Sequence, residues 1–183
     1  MRLCDLWRTG LWAISLSVLL PACGLTSTHQ IAKVPSNASQ WLVQHPDSHT
    51  AIIKLAAGEH NGMNFNGYGH GQMVITVPLH WNITVDFVNV DLAQAHSAMV
   101  VPLADHSLTS IPSSVLAFPK ASTPSPDDGT EAGIDQSFHF VASHAGDYAL
   151  CCGVPGHSAM GMWDSFIVSK TASKAAITIT RVG

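Results

Sequence analysis

Near its C-terminus the chain reads Tyr148-Ala-Leu-Cys-Cys-Gly-Val-Pro-Gly-His-Ser-Ala-Met-Gly-Met-Trp163. This stretch contains a thiol, an imidazole and a thioether at Cys152, His157 and Met162, with four residues between each one and the next. The flanking residues form strand-like apolar runs, whereas the glycine and proline in the middle are typical of turns. The stretch therefore predicts two strands joined by a loop that brings three metal-binding side chains together.

The donor atoms of this loop suit one metal in particular. A thiolate and two imidazoles in a plane, with a long axial bond from methionine, hold copper in blue electron-transfer sites. The loop supplies a cysteine, a histidine and two methionines, Met160 and Met162. We expect the second histidine to come from the end of a strand far upstream. The predicted cofactor is one copper ion that alternates between Cu(I) and Cu(II).

Other sites built on cysteine need different residues. A structural zinc site takes four cysteine or histidine ligands, but Cys151 and Cys152 are neighbours in a predicted strand and point to opposite faces. The same geometry disfavours a disulfide between them and predicts that Cys151 is a small buried apolar side chain. A dinuclear copper centre requires a second cysteine at position 148, where the chain has tyrosine. A catalytic cysteine–histidine pair stays open as an alternative, although it gives no role to Met162.

The rest of the domain predicts strands and turns. Runs of β-branched and apolar residues, separated by turn signals, predict strands over residues 51–55, 72–78, 82–90, 95–101, 136–141, 148–152 and 163–169. Residues 102–133 are rich in proline and predict a long irregular excursion. Short strands at this spacing favour an all-β fold, a single-domain Greek-key β-sandwich or barrel over residues 51–169.

The N-terminal residues have the pattern of an export signal. Arg2 and Arg8 precede an apolar run, residues 11–20, which is too short for a comfortable transmembrane helix. The run continues into Leu20-Pro-Ala-Cys23, which is similar to the lipobox of bacterial lipoproteins, although proline is atypical in its middle. We predict that residues 1–22 are a lipoprotein signal peptide and that a lipid on Cys23 anchors the mature chain to a membrane. Cleavage near Cys23 without a lipid is the alternative.

The composition predicts the character of the remaining segments and limits the possible partners. Residues 23–50 are polar and predict a tether or N-terminal arm, and residues 170–183 predict a tail or an edge strand. Charged residues make up only 11% of the chain and the net charge is −4, so the chain has no basic surface for nucleic acid. Its 11 histidines outnumber its 8 lysines and arginines, which suggests either an adaptation to low pH or compositional drift.

Two blocks of sequence resemble the cupredoxins, the type 1 blue copper proteins, and within them the rusticyanin and sulfocyanin group. The ligand loop is the first block, because Cys152-Gly-Val-Pro-Gly-His157 followed by Met162-Trp163 is similar to the Cys-x4-His-x4-Met signature of that group. The second block lies upstream and is similar to the opening of sulfocyanins. It comprises Phe65-Asn-Gly-Tyr68, Gly71-Gln-Met73 and Trp81-Asn-Ile-Thr-Val85. Together the blocks extend over residues 60–169.

The resemblance implies a complete set of copper ligands. In this family the first histidine follows the strand predicted at 82–90, where this chain has His96. The competitors are His80, in a turn before that strand, and His106, in the irregular excursion. The family spacing selects Met162 rather than Met160 as the axial ligand. The implied ligands are therefore His96, Cys152, His157 and Met162.

The resemblance also implies how the protein acts. Ser97, where the family often has Asn, is expected to form a hydrogen bond with the ligand loop. An electron is expected to pass through the edge of His157, and an apolar patch of Val154, Pro155 and Met160 is expected to dock redox proteins such as cytochromes or a terminal oxidase. We expect an electron carrier rather than an enzyme, on the extracytoplasmic side of the membrane and in the respiratory chain of an acidophile. The alternative is an extracytoplasmic copper-binding or copper-delivery protein.

Overall fold

Strand pairing organises residues 38–180, the part of the chain that this computed structural model describes, into two β-sheets. In chain order the strands are β1 (Leu42–His45), β2 (Thr50–Ala57), β3 (Met73–Pro78), β4 (Asn82–Asn89), β5 (Met99–Pro102), β6 (Asp135–Val141), β7 (Gly146–Cys151), β8 (Trp163–Ser169) and β9 (Ala176–Ile179). One sheet has the order β1-β2-β4-β6 and the other has the order β5-β7-β8-β3-β9. Consecutive strands from β3 to β7 alternate between the two sheets, which confirms the predicted all-β Greek-key sandwich.

The helical segments are single 3-10 turns. They are Ala38–Gln40, Pro46–Ser48, Glu59–Asn61, Leu103–Asp105 and Ser113–Val115. Between residues 38 and 180, no helix has the length and apolar character needed to cross a bilayer. The predicted signal peptide (1–22), the predicted lipidation site Cys23 and the first part of the predicted arm lie outside the described residues.

Alternating apolar side chains fill the space between the sheets. Ile83 and Phe87 on β4, like Met73 and Ile75 on β3, are almost completely buried, while their neighbours along each strand are more exposed. This period of two is that of a strand with one face on the core. Burying each of these side chains stabilises the fold by about 1.5–3 kcal/mol. A slip of one residue would turn all of them towards solvent, so the core fixes the register of the strands.

The predicted N-terminal arm is corrected by the structure, because its last residues belong to the sandwich. Leu42–His45 forms β1, which pairs antiparallel with β2. Trp41, just before it, is only 3% exposed and lies in the core. The side chain of Gln44 donates to the carbonyl of Ala175 and accepts from its N–H, at 2.9 and 2.8 Å. The polar composition of residues 23–50 conceals this strand, since one of its two inward side chains is a glutamine that bonds to backbone.

The C-terminal residues and the excursion also pack onto the sandwich. β9 pairs antiparallel with β3 and forms an edge strand, one of the two structures predicted for residues 170–183. The excursion returns to the second sheet through an isolated bridge between Met99 and Ser122, and it approaches the β4–β5 connection through a bridge between His96 and Thr130. The excursion therefore covers one side of the region where the predicted ligands lie.

Candidate metal centre

The ligand loop is closed by backbone hydrogen bonds between its two ends. Cys152 directly follows β7, and its N–H donates to the carbonyl of Met162 at 3.0 Å. The N–H of Met162 in turn donates to the carbonyl of His157 at 3.0 Å, and the N–H of His157 donates to that of Val154 at 3.1 Å. Because β7 and β8 are paired on either side, the loop is a compact turn that holds its side chains in fixed positions.

The second histidine comes from the connection between β4 and β5. His96 is fully buried, and its backbone exchanges two hydrogen bonds with Thr130, at 3.2 and 2.7 Å. These bonds hold the connection against the excursion. As a result the imidazole of His96 enters the sandwich beside the ligand loop, 61 residues away from His157 in the chain.

His96, Cys152 and His157 together form one buried cluster of donor atoms. One donor atom from each lies within 4.8 Å of those of the other two. The Nδ1 atoms of the two histidines are 3.2 Å apart, and Nδ1 of His157 is 3.5 Å from the sulfur of Cys152. His157 is 7% exposed, whereas the other two are fully buried. The structure thus brings together three of the four predicted ligands.

Asp91 determines which nitrogen of His96 faces the cluster. Its Oδ2 lies 3.0 Å from Nε2 of His96, and both side chains are fully buried. Burial raises the pKa of Asp91, but hydrogen bonds from Ala93, His96 and Gln94 outweigh burial and leave the pKa below its ordinary value. An ionised carboxylate only accepts, so Nε2 carries the proton and Nδ1 offers a lone pair to the cluster.

The donor set fits one copper ion. The lone pair of His96 faces Nδ1 of His157 at 3.2 Å, and a cation between them would satisfy both nitrogens. A cysteine sulfur and two imidazole nitrogens are the equatorial donors that type 1 copper takes. His96, Cys152 and His157 are therefore the residues that would hold it.

Burial shifts the pKa values of the Cys152 thiol and of the His157 imidazole in opposite directions. Burial raises the pKa of the Cys152 thiol, although hydrogen bonds from Ser97 and Val154 partly oppose this. Burial and the neighbouring His96 lower the pKa of His157, and Asp91 opposes this. The imidazole therefore stays neutral and able to bind metal to lower pH than usual. The thiol loses its proton when a metal binds, since the thiolate is the ligand form.

Ser97 connects three segments of the site. Its hydroxyl donates to the carbonyl of Pro126 at 2.6 Å and accepts from the N–H of Gly153 at 2.8 Å. Its backbone N–H lies 3.3 Å from the sulfur of Cys152 and donates to it. The hydrogen bond to the ligand loop that the sequence suggested is present in the structure.

The two candidate methionines differ in burial. Met162 is fully buried in the main core, whereas Met160 is 55% exposed. The carbonyl of Met162 also accepts from the N–H of Cys152, and its N–H donates to the carbonyl of His157, which places Met162 at the base of the loop. Its role as axial ligand stays a prediction.

The competing residues lie elsewhere. The ring of His106 packs on the indole of Trp163, with centroids 4.0 Å apart, and His80 occupies a turn with φ of +66°. Cys151 is a free, buried thiol in a separate small apolar cluster, as predicted. Burial raises the pKa of Cys151 to about 12, so it stays protonated.

The sequence did not single out Asp91, because a carboxylate five residues before a histidine has no recognisable motif.

Comparison with known proteins now identifies the family. The sulfocyanin (SoxE) domain matches residues 37–179, which includes both sheets and the whole metal centre. The chain belongs to the sulfocyanin family. This confirms the predicted resemblance to the cupredoxins of the rusticyanin and sulfocyanin group.

Individual relatives of this sulfocyanin-family chain are distant. It is 28% identical over 127 residues to sulfocyanin of Sulfolobus acidocaldarius, an alignment that covers 67% of this chain and 63% of the relative. Among solved structures, reduced auracyanin of Roseiflexus castenholzii is 25% identical, with 67% and 98% of the two chains covered and a TM-score of 0.47. Rusticyanin of Thiobacillus ferrooxidans is 21% identical, with 69% and 84% covered and a TM-score of 0.47.

Proposed function

We propose that this protein is a type 1 copper electron carrier that exchanges single electrons with redox proteins on the extracytoplasmic side of a membrane. The observation that carries the proposal is the buried cluster of His96, Cys152 and His157, in which three donors of the type 1 set converge. When bound, copper supplies the change between Cu(I) and Cu(II). The protein does not have to bind or transform a substrate for this reaction.

The chain supplies rigidity and a dry environment. Cys152 is held by the N–H of Ser97, His96 by Asp91, and His157 by the hydrogen-bonded loop. Donors that are fixed in this way change position little between the two oxidation states, which favours fast electron transfer. Burial of the donors excludes water, and the apolar shell would favour Cu(I) and raise the potential, as would weak ligation by Met162.

The proposed route for the electron is the exposed edge of His157. This ring is the only one of the three clustered ligands with solvent exposure, at 7%. On the same loop Pro155 and Met160 are exposed and Val154 is half-buried, and we propose that these three side chains form a small apolar patch. We propose that cytochromes or a terminal oxidase dock there transiently, since weak electron-transfer complexes use small interfaces.

The proposed location rests on the N-terminal sequence. The predicted export signal at residues 1–22 supports an extracytoplasmic site of action, and Cys23 is the proposed point of lipid attachment. Mass spectrometry of the mature protein tests the anchor. A diacylglyceryl mass on a chain that begins at Cys23 is expected, and an unmodified N-terminus would exclude the lipid.

Visible absorption of the purified domain after addition of Cu(II) tests the function. We expect an intense orange-red charge-transfer band that one-electron reduction bleaches reversibly. The band should vanish in Cys152→Ala and shift in Met162→Leu. Cys151→Ala is the matched control and should keep the band, because Cys151 lies in the other apolar cluster. Copper bound without such a band would favour the copper-delivery alternative, and no copper binding would overturn both.

A further inference from the structure

We propose that Asp91 is a positioning residue of the copper site: its carboxylate fixes the tautomer of His96 and strengthens the ring as a donor to Cu(II). This lowers the reduction potential, against the effect of the apolar shell. The inference rests on the proposed copper site. It assigns to Asp91, which no sequence motif marks, a role in setting the potential.

Both oxygens of Asp91 are engaged. Oδ2 accepts from Nε2 of His96 at 3.0 Å, while Oδ1 accepts from the backbone N–H groups of Ala93 and Gln94 at 2.8 and 3.2 Å. The carboxylate therefore bridges its own turn and the imidazole. It cannot rotate away from His96 without losing the two backbone bonds.

The turn that carries Asp91 is fixed by Asn89. Oδ1 of Asn89 accepts from the N–H of Asp91 at 3.0 Å, and its Nδ2 donates to the carbonyls of Gln94 and Thr130, each at 2.8 Å. Thr130 is also the residue whose backbone pairs with His96. The buried amide of Asn89 thus fixes the position of Asp91 and, through Thr130, that of His96.

The opposite side of the pair is closed by Gly58. A Cβ on Gly58 would lie 2.4 Å from Cβ of Asp91 and 3.0 Å from the ring of His96. The backbone after β2 therefore packs directly on both side chains. Neither can move towards this side, so the contact between carboxylate and imidazole is built into the fold.

This geometry has a direct effect on the metal. A histidine that donates its second ring N–H to a carboxylate is a more basic ligand and is held in one orientation. The interaction takes place in a buried region, where the charge of the carboxylate is weakly screened. A negative charge on the far side of the ring stabilises the more highly charged ion, which is Cu(II).

Asp91→Asn is the decisive variant. Asparagine has one acceptor oxygen where the site uses two, so either the turn or His96 loses its partner. The expected Cu(II) affinity falls about 10- to 100-fold, with a smaller change for Cu(I), both measured by competition with chelators. If the whole loss is in Cu(II), the midpoint potential rises by roughly 59 mV for each tenfold change.

Asp86→Asn is the matched control. Asp86 is exposed on β4, and its carboxylate accepts a hydrogen bond from Ser137. This variant loses the same charge as Asp91→Asn, but at a residue that does not contact a proposed copper ligand. Its copper affinities and potential are expected to equal those of the unmodified protein. Equal affinities and potentials in a folded Asp91→Asn variant would overturn the proposal.

Nitrogen-15 NMR of the metal-free protein tests the contact without copper. In the neutral ring we expect the proton of His96 on Nε2, with a larger share on Nδ1 in Asp91→Asn. A proton on Nδ1 of His96 in the unmodified protein would overturn the proposal even if the variant does not fold. Failure of the unmodified protein to bind copper would instead overturn the proposed function, with the NMR result still deciding the contact.

Discussion

The backbone N–H of Ser97 donates a hydrogen bond to the sulfur of Cys152 at 3.3 Å, although 55 residues separate them in the chain. Ser97 directly follows His96, so the segment that supplies the first imidazole also holds the thiol. The two parts of the site are therefore positioned relative to each other by the protein itself. A site that is prepared in this way needs little rearrangement when copper binds or changes its oxidation state.

Ser97→Ala should destabilise the protein. The substitution leaves the N–H of Gly153 and the carbonyl of Pro126 without the hydroxyl that each now contacts. Buried groups that lose their partners cost about 1–3 kcal/mol, measured as the free energy of unfolding of the metal-free protein in urea. Ser137→Ala removes an exposed hydroxyl that bonds to Asp86 and should change stability by less than about 0.5 kcal/mol. Equal stabilities of the two variants would contradict the bridging role of Ser97.

Gly58→Ala should damage the copper site as well as stability. Gly58 has φ of +79°, and a methyl group there would collide with Asp91 and His96. Gly67→Ala is the matched control, because Gly67 has φ of +83° but its Cβ would have no neighbour closer than 3.8 Å. The control should lose about 1–2 kcal/mol of stability from backbone strain, with an unchanged orange-red band. Gly58→Ala should lose more stability and a large part of that band. Equal losses in the two variants would show that strain alone acts at Gly58.

Asp164 should make the folded protein more stable near pH 4 than near pH 8. Burial raises the pKa of Asp164 to about 8, although a hydrogen bond from Met73 opposes this. Oδ1 accepts that bond at 2.9 Å, whereas Oδ2 has no hydrogen-bond partner among the described residues. From about pH 4 to pH 8 the unfolded chain has lost this proton and the folded chain keeps it. The free energy of unfolding therefore falls as pH rises through this window, by up to about 1.4 kcal/mol per unit from this group.

Asp164→Asn tests this effect, because the amide resembles the protonated carboxyl and does not titrate. The difference in unfolding free energy between Asp164→Asn and the unmodified metal-free protein should widen between pH 4 and 8. Asp86→Asn, which removes an exposed carboxyl on β4, is the control for the loss of one negative charge. Parallel curves for Asp164→Asn and the unmodified protein would show that Asp164 is ionised in the folded state.

The copper site should survive mild acid. Burial and the proximity of His96 lower the pKa of His157, so protons compete for its nitrogen only below the usual range. We expect the orange-red band to keep its intensity from pH 7 to about 5, near and below the reference imidazole pKa of about 6.5. Circular dichroism at each pH separates copper release from unfolding. Bleaching near pH 5 in a folded protein would contradict the expectation and the hypothesis of an acid-adapted site.

Local patterns in the sequence predicted much of the fold. Alternating residues such as Ile83 and Phe87 predicted β4, and the spacing of Cys152 and His157 predicted the loop between β7 and β8. Both signals are short-range, since strand periodicity and ligand spacing depend on residues close in the chain. The sequence pattern did not predict β1, because the polar residue Gln44 faces inwards, where its amide bonds to the backbone of Ala175.

The sequence by itself determined the chemistry of the site, because a cysteine, a histidine and a methionine on one short loop suit few metals other than copper. His96 was placed with them by family resemblance, and the structure confirms its position beside Cys152 and His157. Only the tertiary structure decided how the donors are held. Asp91 lies only five residues before His96, but Gly58 and Thr130 hold this contact in place from distant parts of the chain. The buried carboxyl of Asp164 accepts a hydrogen bond from Met73, 91 residues away. Such contacts leave no periodicity in the sequence, since packing rather than spacing brings their atoms together.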